Sequence, residues 1–207
     1  MTIDEIMQLA PVIPVLVVDD VAHARPLAQA LVAGGLRVLE VTLRTPAALD
    51  VIAEMAKVPG AVVGAGTVLN PGDLAAAQAA GARFIVAPGL TAPLGAAAHA
   101  AGLPFLPGIA NAGDVMRALD MGFSRLKFFP AVPMGGLPVL RALAAVFGSV
   151  RFCPTGGITA ATAPEWLAEP GVTCVGGSWL AKRGETDWAA IEARARAAAA
   201  LKPGGGA

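Results

Sequence analysis

Short β-branched apolar runs alternate with alanine-rich stretches along the whole chain, and this alternation constrains the fold more than any other feature. The apolar runs are Val12–Val18, Val38–Leu43, Val62–Val68, Phe84–Ala87, Phe105–Ile109, Leu126–Phe129, Arg151–Thr155 and Cys174–Leu180. Helical stretches follow each of them, at Ala22–Ala33, Pro46–Lys57, Pro71–Ala80, Ala92–Ala101, Asn111–Met121, Leu137–Phe147, Ala161–Ala168 and Trp188–Leu201. Strict βα order predicts a parallel sheet. The strand runs lack polar alternation, as expected where both faces are buried. Asp20 reads as an N-cap, and Pro46, Pro71 and Pro93 fall where a first helical turn accepts proline. Eight units are the number that closes an eight-stranded (β/α)8 TIM barrel, an α/β class whose lower size limit is roughly 200 residues. An open doubly wound sheet is the rival architecture. No linker breaks the 207 residues, so the expectation is a single domain over 1–207 with a frayed tail at 202–207.

Composition excludes several functions. Hydrophobic residues are 56% and charged residues 14%, which rules out disorder. Fifteen basic residues balance 15 acidic ones, so no basic excess argues for nucleic acid. Mean hydropathy is +0.66, yet no uncharged apolar run reaches the roughly 18 residues that a membrane span needs. Met1–Gln8 carries Asp4 and Glu5 and no basic residue, unlike a signal peptide. Cys153 and Cys174 are too few for a disulfide framework and read as reduced core residues. His23 and His99 read as helix-surface residues and Trp166, Trp179 and Trp188 as packing. No protein-built metal site is expected, and the setting reads as cytoplasmic.

Charged residues inside buried strands are costly unless paired or functional. In the second strand, Glu40, Thr42 and Arg44 share one face by the period-2 rule, and Arg44 stands at the C-terminal end. A Glu–Arg pair that only fills the interior is the alternative. Of the four lysines, only Lys127 lies mid-strand, between large apolar residues and on the same face as Phe129. Desolvation there favours a neutral amine, a nucleophile toward carbonyls that can form a Schiff base. A structural Lys–Glu salt bridge is the bland alternative. Gly156-Gly157 follow the seventh run and the eighth contains Gly176-Gly177-Ser178, where backbone N–H groups can approach a phosphate. Gly64-Ala65-Gly66-Thr67 lacks the last glycine of a dinucleotide fingerprint.

At these residues the sequence strongly resembles the 2-keto-3-deoxy-6-phosphogluconate (KDPG) and 4-hydroxy-2-oxoglutarate (KHG) aldolase family. The matching segments are Glu40–Thr45 (EVTLRT), Val63–Pro71 (VGAGTVLNP), Ala87–Leu90 (APGL), Leu126–Ala131 (LKFFPA), Arg151–Ile158 (RFCPTGGI) and Gly176–Leu180 (GGSWL). The resemblance implies a class I lyase with no metal or other cofactor, usually a homotrimer, on a (β/α)8 barrel. It makes Lys127 the Schiff-base residue and Glu40 the general acid/base. It assigns Arg44 and Thr67 to the pyruvyl carboxylate, and Pro88 and Phe129 to the pocket wall. Thr155, Gly156, Gly157, Gly176 and Ser178 would face the distal part of the substrate and its phosphate. It implies cleavage of KDPG to pyruvate and glyceraldehyde 3-phosphate, a step of the Entner–Doudoroff pathway, with KHG cleavage to pyruvate and glyoxylate beside it. An aldolase for the galactonate epimer is one alternative. An imine-free phosphate-barrel isomerase or epimerase is another, and a non-catalytic phosphosugar-binding barrel a third. Two positions depart from the family pattern: Val132 stands where an acidic residue is common, and the Asn111 loop lacks the usual Thr-Pro.

Overall fold

The computed structural model describes residues 1–201; the tail 202–207, expected to fray, lies outside the described residues. Among the described residues nine strands form: β1 (Val12–Leu16), β2 (Val38–Thr42), β3 (Val62–Gly66), β4 (Ile85–Val86), β5 (Phe105–Leu106), β6 (Gly108–Ile109), β7 (Arg125–Phe128), β8 (Arg151–Pro154) and β9 (Val175–Gly177). The helices are α1 (Ile3–Gln8), α2 (Ala24–Ala33), α3 (Ala48–Met55), α4 (Pro71–Ala79), α5 (Ala92–Ala101), α6 (Ala112–Asp120), α7 (Gly136–Val146), α8 (Ala163–Leu167) and α9 (Trp188–Ala199). Helix α2 shows why these segments pack as they do. Its buried residues Ala24, Leu27, Ala28 and Leu31 recur at helical spacing and form one apolar stripe. Asp20 accepts from Ala22 N–H at the start of a 3-10 turn, Val21–His23, that leads into it.

All pairing is parallel, but it does not run as one closed ladder. Six strands pair in the order β5-β4-β3-β2-β1-β9, and three in the order β6-β7-β8. Between β8 and β9 there are only isolated bridges, Phe152 to Val172 and Thr155 to Gly176. The expected closed eight-stranded TIM barrel is therefore corrected to a six-stranded and a three-stranded parallel sheet. The break lies inside the fifth apolar run. Pro107 has no N–H to give to a ladder. Phe105 and Leu106 pair with β4 on one side of it, and Gly108 and Ile109 pair with β7 on the other. Its carbonyl still accepts from Lys127 N–H at 2.8 Å.

The sheets face each other across an interior filled by Ile13, Val38, Val62, Phe84, Val86, Leu106, Cys153 and Cys174. A second, larger cluster packs the sheets against the helices. Helix α1 stands outside the βα alternation, and Thr2 and Glu5 carry the spacing of its capping box. Thr2 Oγ1 accepts from Glu5 N–H at 3.2 Å, and Glu5 Oε2 accepts from Thr2 N–H at 2.7 Å. The helix drives Ile6 and Met7 into the interior cluster, both buried, and Asp4 pairs with Arg125 at the foot of β7. It closes the interior beneath the polar residues. Met7→Ala is expected to cost about 2–5 kcal/mol, the usual range for truncating a buried side chain that leaves a cavity. Urea unfolding reads this directly, and a loss below about 1 kcal/mol would mean that α1 closes nothing.

Candidate active site

Above the apolar layer, near the C-terminal ends of the strands, the polar side chains buried among the described residues are Glu40, Thr42, Lys127 and Thr155. Lys127 stands on β7, opposite Gly108 of β6 and Cys153 of β8. Its Nζ donates to Glu40 Oε1 at 3.0 Å, with the lysine 5% and the glutamate 3% exposed. The two are 87 positions apart in the chain and belong to different sheets. Lys127 Nζ also lies 5.3 Å from the centre of the Phe129 ring, so the shared face expected of these two residues forms. Thr42 completes the polar face of β2 but is engaged, its Oγ1 donating to Leu16 O at 2.8 Å.

Arg44 lies beyond the end of β2 and is exposed. Its Nε donates to Thr67 Oγ1 at 3.2 Å. Thr67 is held at φ 59°, a left-handed conformation rare for a β-branched residue. Strain of this kind gathers at functional sites. The contact puts the expected carboxylate pair, Arg44 and Thr67, together at the mouth. Pro88 packs on β6: a Cβ on Gly108 would lie 2.2 Å from the Pro88 carbonyl. A cavity of about 380 Å³ beside it is lined by Val68, Leu69, Leu90 and Asp114, and of the expected site residues only Pro88 reaches it.

The two glycine segments come side by side through the Thr155–Gly176 bridge. Gly156 and Gly157 are left-handed, at φ 105° and 82°. Gly156 N–H faces Gly176 O across this bridge, while among the described residues the N–H groups of Gly157, Ile158 and Ser178 donate to no protein acceptor. Such an array with exposed Ser178 suits an anion. Gly176 turns inward, since a Cβ there would meet Thr155 Oγ1 at 2.2 Å. Gly177 turns the other way, and its missing Cβ makes room for the Trp179 ring at 2.1 Å. Val132 lies over Gly157, and its N–H donates to Gly156 O at 3.0 Å. Asn111 caps α6 through Asp114 N–H at 3.0 Å.

Cys153 and Cys174 are free and buried beside this cluster. The hydrogen bond with Cys153, together with burial and the nearby negative charge of Glu40, pushes the Cys174 thiol well above its ordinary value. It stays a protonated thiol rather than a nucleophile.

The arrangement joins a buried amine to a carboxylate within proton-transfer distance, an exposed guanidinium at the mouth, and a row of backbone donors beyond it. The family described as KDPG and KHG aldolase matches residues 3–194. The chain belongs to this family. The 2-dehydro-3-deoxy-phosphogluconate aldolase of Zymomonas mobilis is 60% identical over 97% of this chain and 96% of its own length. The KHG/KDPG aldolase of Escherichia coli K12 is 53% identical over 86% of this chain and 84% of its own. Among solved structures, the Zymomonas mobilis ZM4 aldolase with 3-phosphoglycerate superposes with a TM-score of 0.95 over 97% of this chain and 96% of that one. The KDPG aldolase of Legionella pneumophila, 42% identical, holds pyruvate captured at low pH as a covalent carbinolamine intermediate. It superposes at 0.93 over 97% of this chain and 99% of that one. A KDPG and KHG aldolase needs a nucleophilic amine and a proton carrier in one place, which no nearby sequence spacing supplies here.

Proposed function

We propose that this chain is a Schiff-base aldolase that cleaves KDPG to pyruvate and glyceraldehyde 3-phosphate, and KHG to pyruvate and glyoxylate. The observation that carries the reading is the buried Lys127–Glu40 pair at 3.0 Å. Lys127 Nζ attacks the 2-keto carbon, and loss of water leaves a protonated imine. Glu40 takes the C4 hydroxyl proton as the C3–C4 bond breaks. The bonding electrons move into the imine to give an enamine, and the aldehyde leaves. Protonation at C3 and hydrolysis of the imine release pyruvate and restore Lys127. Arg44, with Thr67, pairs with the substrate carboxylate, and a guanidinium at the mouth suits that role. Phe129 and Pro88 wall the pyruvyl group. The loop of Gly156 and Gly157, with the free N–H of Gly157 and with Gly176 and Ser178 beside Thr155, receives the phosphate. Gly177 supports this loop from behind, through its packing on Trp179. The same reading takes residues 1–207 as one catalytic domain, acting as a homotrimer in the cytoplasm. Relatives that match along nearly the whole chain support the single domain.

Comparison of three substrates tests this reading: KDPG, its galactonate epimer and KHG. KDPG is expected to show the highest kcat/KM, above unphosphorylated KHG by roughly tenfold or more, because remote phosphate binding also lowers the barrier. Equal values for KDPG and KHG would remove the phosphate role. Failure to release pyruvate from any of the three would remove the aldolase reading.

A further inference from the structure

Strand β3 carries glycine twice on its inward face, at Gly64 and Gly66, where a buried strand gains nothing from glycine's freedom. Neither has a left-handed backbone, so neither is needed for chain conformation. Both are needed for space. A Cβ on Gly64 would lie 2.4 Å from the Phe84 ring, part of the interior apolar layer. A Cβ on Gly66 would lie 2.2 Å from Glu40 Oε1, 2.7 Å from its Cγ and 2.8 Å from its Cδ. These distances are far inside van der Waals contact.

We propose that Gly66 is a positioning residue for Glu40, its missing side chain forming the slot that holds the carboxylate against Lys127. The clash would strike the stem of Glu40 as well as its tip, so turning the carboxylate alone cannot relieve it. Glu40 is 3% exposed, so its stem sits among close-packed neighbours. Relief needs a new rotamer or a shift of β2 against β3, where Glu40 pairs with Gly64 and Thr42 with Gly66. Either movement carries Oε1 away from the 3.0 Å contact with Lys127 Nζ. The slot rests on the reading of Glu40 as the proton carrier, and the experiment separates the two.

Gly66→Ala is expected to slow turnover by about 10²-fold, the scale of one misplaced general acid/base, with a much smaller change in KM. Exchange of the pyruvate methyl protons with solvent should slow in step, while borohydride trapping of pyruvate persists. Glu40→Asp, one methylene shorter, is expected to cost less in the Gly66→Ala background than in the native one, because it keeps the Cγ but removes the atom that would stand 2.2 Å from the new Cβ, and so relieves the worst of the clash. Independent, multiplying effects of the two changes would overturn the slot, as would native exchange in Gly66→Ala alongside slow exchange in Glu40→Gln. Native exchange in Glu40→Gln would instead overturn the reading of Glu40 itself. If Gly66→Ala proves too unstable to assay, the melting temperature decides. Glu40→Ala in that background should restore it toward native, and failure to do so would equally overturn the slot.

Discussion

Lys127→Arg is expected to abolish the covalent adduct that borohydride traps with pyruvate, and to lower turnover by about 10⁴-fold or more, since the covalent route is lost. The substitution keeps a positive charge and a donor toward Glu40, so the ion pair that spans the two sheets has a replacement. What it removes is the lone pair. A guanidinium stays protonated at any pH the protein survives and does not attack a carbonyl carbon. A structural salt bridge between β2 and β7 would tolerate the exchange with little loss of activity, so the variant separates the chemical reading of Lys127 from the bland one. Intact-mass measurement after reduction with pyruvate present reads the result. An adduct of the native mass increment on the variant would mean that another amine carries the imine.

Why Lys127 and Glu40 were legible in the sequence is a matter of cost. A charge amid Leu126, Phe128 and Phe129, or between Leu39 and Val41, has to be compensated, so it stands out against its surroundings. Period-2 alternation then gave their faces, and the glycine pairs marked strand ends that the Thr155–Gly176 bridge brings together. The features that were not legible depend on what lies across the interior. Pro107 divides one apolar run between two partners, and while the proline marks an interruption, nothing in the run says which strand each half pairs with. The direction of Gly177 toward Trp179, unlike Gly176 toward Thr155, appears only once the register of β9 is known. Gly66 reads as part of a glycine motif lacking its last member, whereas its role toward Glu40 is a matter of volume. The left-handed backbone of Thr67 likewise follows from its turn after β3 and not from residue type. Helix α1 is different, since the spacing of Thr2 and Glu5 spells out its cap in the sequence itself.

Glu40→Gln is expected to leave pyruvate trapping in place and to slow KDPG cleavage by roughly 10²–10⁴-fold, the range of a single general acid/base. The amide has nearly the same shape as the carboxylate, so the slot at Gly66 still fits it and its oxygen still accepts from Lys127. Two things change. The amide cannot take the C4 hydroxyl proton, so C3–C4 cleavage loses its base. The lysine also loses its counter-ion in a buried site, where a charge left alone is costly. Imine formation and proton transfer should therefore respond differently to one substitution. Proton NMR of pyruvate in deuterium oxide follows the second process alone, through loss of the methyl signal. Slow exchange with intact trapping is the expected pair of results. Native exchange would show that another group, or water without help from Glu40, delivers the proton to the enamine. Loss of trapping with a folded chain would instead make Glu40 necessary for imine formation itself, moving its main role to the carbinolamine stage.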